Sequence, residues 1–191
     1  MDRQFADGND RDPVRVETVV IGAGQAGLSA GYHLARRGRE FVILDAGRRV
    51  GDNWRSHWAS LRLYSPTRVA GLPGMRFPAP PASYPTKDQM ADFLETYAAT
   101  FDLPVRTGVR VTRLARRDGE YLVATDGPSF RCDNVVVASG TFGRTPYVPG
   151  FAGELDPGIL QLHSSAYKNP AQLRPGRVLV VGASHSGGDI A

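Results

Sequence analysis

Thr18-Val19-Val20-Ile21-Gly22-Ala23-Gly24-Gln25-Ala26-Gly27-Leu28 is the stretch that decides the fold. Thr18 to Ile21 is a short β-branched run, the pattern of a buried parallel strand. Three glycines follow in the spacing G-x-G-x-x-G. Apolar and small residues then recur at helical spacing at Leu28, Gly31, Tyr32 and Ala35, and Gly38 is placed to end the helix in a left-handed cap. Phe41 to Leu44 reads as a second buried strand, closed by Asp45. The result is one right-handed βαβ unit with a glycine loop between strand and helix. Each glycine has a physical task. Gly22 permits the tight turn, Gly24 lets the backbone approach a pyrophosphate, and Gly27 lets the helix pack closely on the sheet. The helix N-terminus supplies N–H groups and partial positive charge to the phosphates, and Asp45 can accept hydrogen bonds from a ribose.

Outward from this unit the chain changes character. Gly47 to Pro85 is irregular and rich in Gly, Pro, Trp and Arg; ordered loops of that length usually carry function. Thr86-Lys87-Asp88-Gln89 fits a capping box, and Met90, Phe93, Leu94, Tyr97 and Phe101 form the apolar stripe of the helix it opens. Val109–Leu114, Tyr121–Thr125 and Ser129–Cys132 read as three short strands of an antiparallel meander, with turn signals at Asp118-Gly119 and Asp126-Gly127. Val135–Ala138 reads as a further buried strand leading into Ser139-Gly140. Arg177–Val181 reads as a last strand, running into a second loop, Gly182-Ala183-Ser184-His185-Ser186-Gly187, in which Ser184 takes the middle glycine position.

The bulk properties exclude several classes. The chain has 191 residues, a net charge of +4 and 41% hydrophobic residues, the profile of a globular protein. Its arginines are scattered, so the positive balance reads as a solvated surface rather than a nucleic-acid face. No apolar run is long enough to span a bilayer, and the polar, acid-bearing start is no signal peptide. The single cysteine, Cys132, reads as structural and suits a reducing cytoplasm. No spacing suggests a metal site or a Ser-His-Asp triad. Two glycine motifs imply two dinucleotides, which favours a flavoprotein reduced by a nicotinamide cofactor over a simple dehydrogenase. Disulfide reductases also use two such sites, but they need a cysteine pair.

Val20 to Ser29 resembles the FAD motif of flavin-containing monooxygenases. Gly51-Asp52-Asn53-Trp54-Arg55 resembles the segment where that superfamily contacts the flavin. Leu61 to Arg68, with Leu72-Pro73-Gly74, is similar to its CzcO-type bacterial branch, and Val135 to Gly140 is similar to its Ala-Thr-Gly segment, with Ser139 for Thr. His163 to Lys168 resembles the linker fingerprint that Phe151 and Gly153 precede, although His163 lies further downstream than the compact spacing allows. Tyr167-Lys168 stands where Baeyer–Villiger enzymes have Trp-Pro, which favours the N- and S-oxygenating or YUCCA-like side of the group.

The resemblance implies an α/β fold: a Rossmann-like FAD-binding three-layer domain with an antiparallel meander, followed by the truncated start of a second, NAD(P)-binding Rossmann domain. The expected layout is a disordered leader over 1–15, the FAD domain over 16–149, and linker plus second domain over 150–191. It assigns Gly22, Gly24, Gln25, Ala26, Gly27, Asp45, Ala46, Asn53, Trp54, Arg55, Val111, Ser139 and Gly140 to FAD. It assigns Gly182, Ser184, Ser186 and Gly187 to NADPH. The implied activity is oxygenation of a small nucleophilic substrate with O2 through a flavin C4a-hydroperoxide, in a cytoplasmic enzyme that could form a homodimer. It marks no catalytic acid or base. Two alternatives stay open: an NAD(P)H oxidoreductase or oxidase without a stable peroxyflavin, and a non-catalytic fragment.

Overall fold

A computed structural model of the chain describes residues 12–140 and 146–191. Six strands form one mixed sheet: β1 Val14–Ile21, β2 Phe41–Leu44, β3 Val105–Arg106, β4 Val111–Arg117, β5 Glu120–Thr125 and β6 Phe130–Val137. Their order is β3-β2-β1-β6-β5-β4. The β3, β2, β1 and β6 neighbours run parallel, and β6, β5 and β4 form the antiparallel meander. Helix α1 (Gln25–Ala35) crosses from β1 to β2, α2 is the single turn Asp52–Arg55, α3 is Lys87–Thr100 and α4 is His185–Ile190.

Strand β6 corrects the sequence reading at its most informative point. Ser129–Cys132 and Val135–Ala138 are not two strands but one. Asp133-Asn134, polar enough to suggest a break, lies inside β6, which pairs with β1 from Val14↔Phe130 to Ile21↔Val137. Both residues are exposed, so their polarity costs no burial. Phe130 to Cys132 pair with β5 as well. One strand is thus shared by the parallel and antiparallel halves.

Three further expectations change. Val14 and Arg15 belong to β1 and not to a leader: Val14 N–H donates to Ser129 O, and Arg15 bridges Glu120 and Asp133. The rest of that leader, residues 1–11, lies outside the described residues. Strand β4 starts at Val111, where a bulge separates Val111 from Arg113. Arg177–Val181 is in no strand, and Val178 to Val181 are exposed. A strand exists by pairing, and no described strand lies beside this one. The capping box at Thr86 and the left-handed Gly38 form as expected.

Two apolar clusters hold the sheet. One joins α1 and α3 to the first sheet face through Val20, Leu28, Ile43, Met90, Phe93, Leu94 and Tyr97. The other joins Val16, Val19, Val42 and Leu44 to Val123, Phe130 and Cys132, with Val109 and Val111 against it. Tyr97 is fully buried and donates its hydroxyl to Pro73 O at 2.7 Å. Burial, and secondarily the neighbouring Tyr32, push the Tyr97 phenol up to about 12 from an ordinary value of 10.0. A raised folded-state value means a stabilising contribution that is whole below the unfolded value and lost as pH rises through the folded one. The urea midpoint should therefore fall as pH rises from 10.0 toward about 12. Tyr97→Phe should flatten that fall while lowering the neutral-pH midpoint. An equal alkaline slope in both proteins would refute the assignment.

Candidate dinucleotide site

The carboxyl ends of β1, β2 and β6 meet at one place. Gly22 N–H donates to Leu44 O at 2.7 Å, and Ala138 N–H donates to Ile21 O at 2.8 Å. The chain leaves β1 for β2 on one side, while β6 lies on the other. This is the switch point at which open α/β sheets bind ligands.

The glycine loop has the shape its spacing implies. Gly22 has φ +104°, and a Cβ there would lie 2.4 Å from Ala138 O. A Cβ on Gly27 would lie 1.8 Å from Gly22 O, so α1 and the loop touch backbone to backbone. Gly24 differs, because a Cβ there would meet no atom within 4 Å. Gly24, Gln25 and Ala26 are exposed. No side chain caps α1, and its first turn holds no acid. By contrast, α3 is capped by Thr86 and Gln89 and carries Asp88 in its first turn. A helix start left without protein partners, beside an open glycine, fits an anionic ligand.

Asp45 ties this loop to the next. Its Oδ2 accepts from Ala23 N–H and its Oδ1 from Gly47 N–H, each at 2.7 Å. A carboxylate offers about four acceptor sites, so capacity remains for ribose hydroxyls. Ala46 is exposed beside it, as are Ser139 and Gly140 after β6. Val111 stands at the start of β4, two residues after Val109, whose N–H donates to Asp45 O at 2.9 Å.

Helix α2 was not legible as a helix. Gly51, at φ +87°, starts it. Asn53 is exposed and Trp54 half-buried. Arg55 donates to Val50 O at 2.7 Å and to Asp92 and Glu95 of α3 at 2.9 and 3.1 Å. Its guanidinium therefore fastens α2 to α3. His57 follows, its ring 5.8 Å from that of Trp54 and 5.6 Å from that of Trp58. Burial first, then the ammonium groups of Lys168 and Lys87, push its imidazole pKa down.

The second loop repeats the first. Gly182 has φ +110° against +104° at Gly22, and a Cβ on Gly187 would lie 2.0 Å from Gly182 O. Ser184 begins α4 at φ −82°, ψ −176°; Gly24 begins α1 at −80°, −172°. Again no side chain caps the helix and no acid occupies its first turn. Serine at the middle position therefore leaves the backbone path unchanged.

The family model described as pyridine nucleotide-disulphide oxidoreductase matches residues 19–191. The chain belongs to the pyridine nucleotide-disulphide oxidoreductase family. Within this family its likenesses run to the flavin monooxygenase superfamily. An uncharacterized CzcO-like oxidoreductase of Geobacillus kaustophilus is 44% identical over 92% of this chain and 50% of its own length. An indole-3-pyruvate monooxygenase of the YUCCA type from Oryza sativa is 32% identical over 91% of this chain and 43% of its own. A solved flavin monooxygenase of Stenotrophomonas maltophilia is 39% identical with TM-score 0.83, covering 93% of this chain and 53% of that one. The chain spans about half the length of the curated relatives it matches.

The 191 residues hold one cysteine. Cys132 is buried in β6, and burial is the main cause that pushes its thiol pKa up, keeping it protonated. A recess of about 400 Å³ lies at the opposite end of the sheet, where Val14, Phe41 and Phe130 begin their strands. It holds neither glycine loop. A smaller recess borders the second loop, lined by Tyr64, Ser184, His185 and Asp189.

Proposed function

We propose that this chain binds FAD at its first glycine loop and NADPH at its second, as part of a flavin-dependent monooxygenase acting on a small nucleophilic substrate with O2. The observation that carries the reading is the pair of matching loops, each opening a helix that the protein itself leaves uncapped. Residues 16–149 would form the FAD domain and 150–191 the linker and the start of the nicotinamide domain.

The fit is physical at each position. Gly24, Gln25 and Ala26 present backbone N–H groups to a pyrophosphate, with Gly22 and Gly27 holding the loop's shape. Asp45 accepts from the ribose with the lone pairs that Ala23 and Gly47 leave free, beside Ala46. Asn53 and Trp54 offer a polar tip and an aromatic face toward the flavin, on a helix that Arg55 holds in place. Val111 contributes backbone near the adenosine end, and Ser139 and Gly140 line the β6 side. Gly182, Ser184, Ser186 and Gly187 hold the second pyrophosphate. The chemistry supplied by a bound flavin is hydride acceptance from the nicotinamide and activation of dioxygen for transfer of one oxygen atom. The protein binds, aligns and excludes water; no side chain here is assigned as acid or base.

The test is reconstitution of the 191-residue chain with FAD, followed by NADPH titration and oxygen-dependent turnover. Saturable FAD uptake is expected. Val178 to Val181 are exposed and, among the described residues, lie in no strand, so no described sheet supports the second site. NADPH oxidation should therefore stay below about one per second, the low end of ordinary enzymes. Failure to take up FAD would sink the reading, and fast turnover would show that the segment Val178 to Val181 is no handicap.

A further inference from the structure

We propose that Trp58 and Asp189 are a positioning pair that pins the second glycine loop to the segment following α2, holding the two dinucleotide loops in one arrangement. The inference rests on the function proposed above and adds residues that no motif marks.

Trp58 is 5% exposed. A buried indole N–H needs an acceptor. It finds one 131 residues away, donating to Asp189 Oδ2 of α4 at 2.5 Å. The bond is not isolated. Ala59 N–H donates to Lys168 O at 2.7 Å. The Lys168 ammonium donates to Ser56 O and to Ser165 O. The ring of Tyr64 lies 4.6 Å from that of His185, inside the second loop. Thus Ser56 to Tyr64 meets the linker at Lys168 and the loop at His185 and Asp189. The same segment starts beside α2, which Arg55 fastens to α3 and so to the first domain. Among the described residues Arg177–Val181 is in no strand, so this pin, rather than a sheet, sets where Gly182–Gly187 lies.

The variants follow from hydrogen-bond chemistry. Asp189→Leu removes the acceptor and strands a buried donor; Asp189→Asn keeps a carbonyl oxygen in the same place; Trp58→Phe keeps an aromatic ring but no donor. Hydrogen exchange of the 191-residue chain is the first readout. The Trp58 indole proton and the amides of residues 182–190 should exchange roughly tenfold or more faster in Asp189→Leu, while Asp189→Asn stays within about twofold of the parent. Trp58→Phe should speed the same amides, and the double variant should add nothing to either single one. Amides of α1 should not change, which separates loss of the pin from loss of the fold. The second readout is the NADPH dissociation constant, expected to rise about tenfold in Trp58→Phe and Asp189→Leu at unchanged FAD content. Unchanged exchange in Asp189→Leu, or single effects that add, overturns the pair. Absence of NADPH binding in the parent overturns the proposed second site instead, and the exchange results still decide the pair.

Discussion

Gly24→Val should lose flavin by at least a hundredfold in affinity while melting at nearly the parent temperature. The two halves of this expectation have separate causes. Gly24 sits at φ −80°, ψ −172°, extended backbone that a β-branched residue adopts readily. A Cβ there would meet nothing within 4 Å. The folded chain therefore has room for the new side chain, and the melting temperature should move by no more than about 2 °C. The space that receives it is the space before the first turn of α1, where N–H groups and the helix dipole face outward. A valine there holds a pyrophosphate off those donors, and a hundredfold loss corresponds to roughly 2.7 kcal/mol, the worth of one or two charge-assisted hydrogen bonds. Gly24→Ala should fall between parent and valine variant. Flavin fluorescence titration beside a thermal melt checks both halves. Stoichiometric flavin retained by Gly24→Val would refute the first-loop assignment. Loss of both flavin and melting temperature would make Gly24 a structural glycine instead.

What could be read from the sequence was what local geometry dictates. The loop Gly22 to Gly27, the capping box at Thr86 and the turn at Asp118-Gly119 each satisfy their constraints within a few residues, so residue types alone announce them. Asp45 was legible as an acceptor, but not its bonds to Ala23 and Gly47, which depend on how the two loops approach. Where pairing comes from far away, local reading failed. Asp133-Asn134 reads as a break until β1 is known to lie beside it, whereupon the backbone pairing with β1 carries the strand through two exposed polar residues. Arg177–Val181 reads as a strand on composition, yet composition supplies no neighbour. Arg55 was legible only through a motif; its partners Asp92 and Glu95 lie 37 and 40 residues on, across α3. The Trp58–Asp189 bond spans 131 residues, and nothing near either residue signals the other.

Gly27→Ala, by contrast with the change at Gly24, should damage the fold itself. The added Cβ would sit 1.8 Å from Gly22 O, 3.0 Å from Gly22 C and 3.4 Å from the Ala138 side chain. The nearest of these is a backbone carbonyl at the end of β1, so no rotamer change relieves the clash. Either α1 lifts from the sheet or the turn at Gly22 opens, and that turn is itself held by the Gly22 N–H bond to Leu44 O. Leu28, which follows at once, is fully buried in the α1 cluster and would be drawn out with the helix. Overpacking of this severity costs about 3 kcal/mol or more, and in a chain of this size each kcal/mol lowers the melting temperature by roughly 2–4 °C. The expected drop is therefore roughly 6–12 °C, with flavin lost because the loop no longer has its shape. Gly187→Ala is the matched control. Its Cβ would meet Gly182 O at 2.0 Å, the same clash in the second loop. There Ser186, Asp189 and Ile190 are half-buried rather than buried, Gly188 is exposed, and among the described residues Val178 to Val181 lie in no strand, so little core is attached to the distortion. Its melting temperature should shift by less than about 2 °C, while NADPH binding weakens. Equal drops in the two variants would mean that the second loop is built into the cooperative core as firmly as the first. A Gly27→Ala protein that melts with the parent would mean that α1 does not need its close approach to β1.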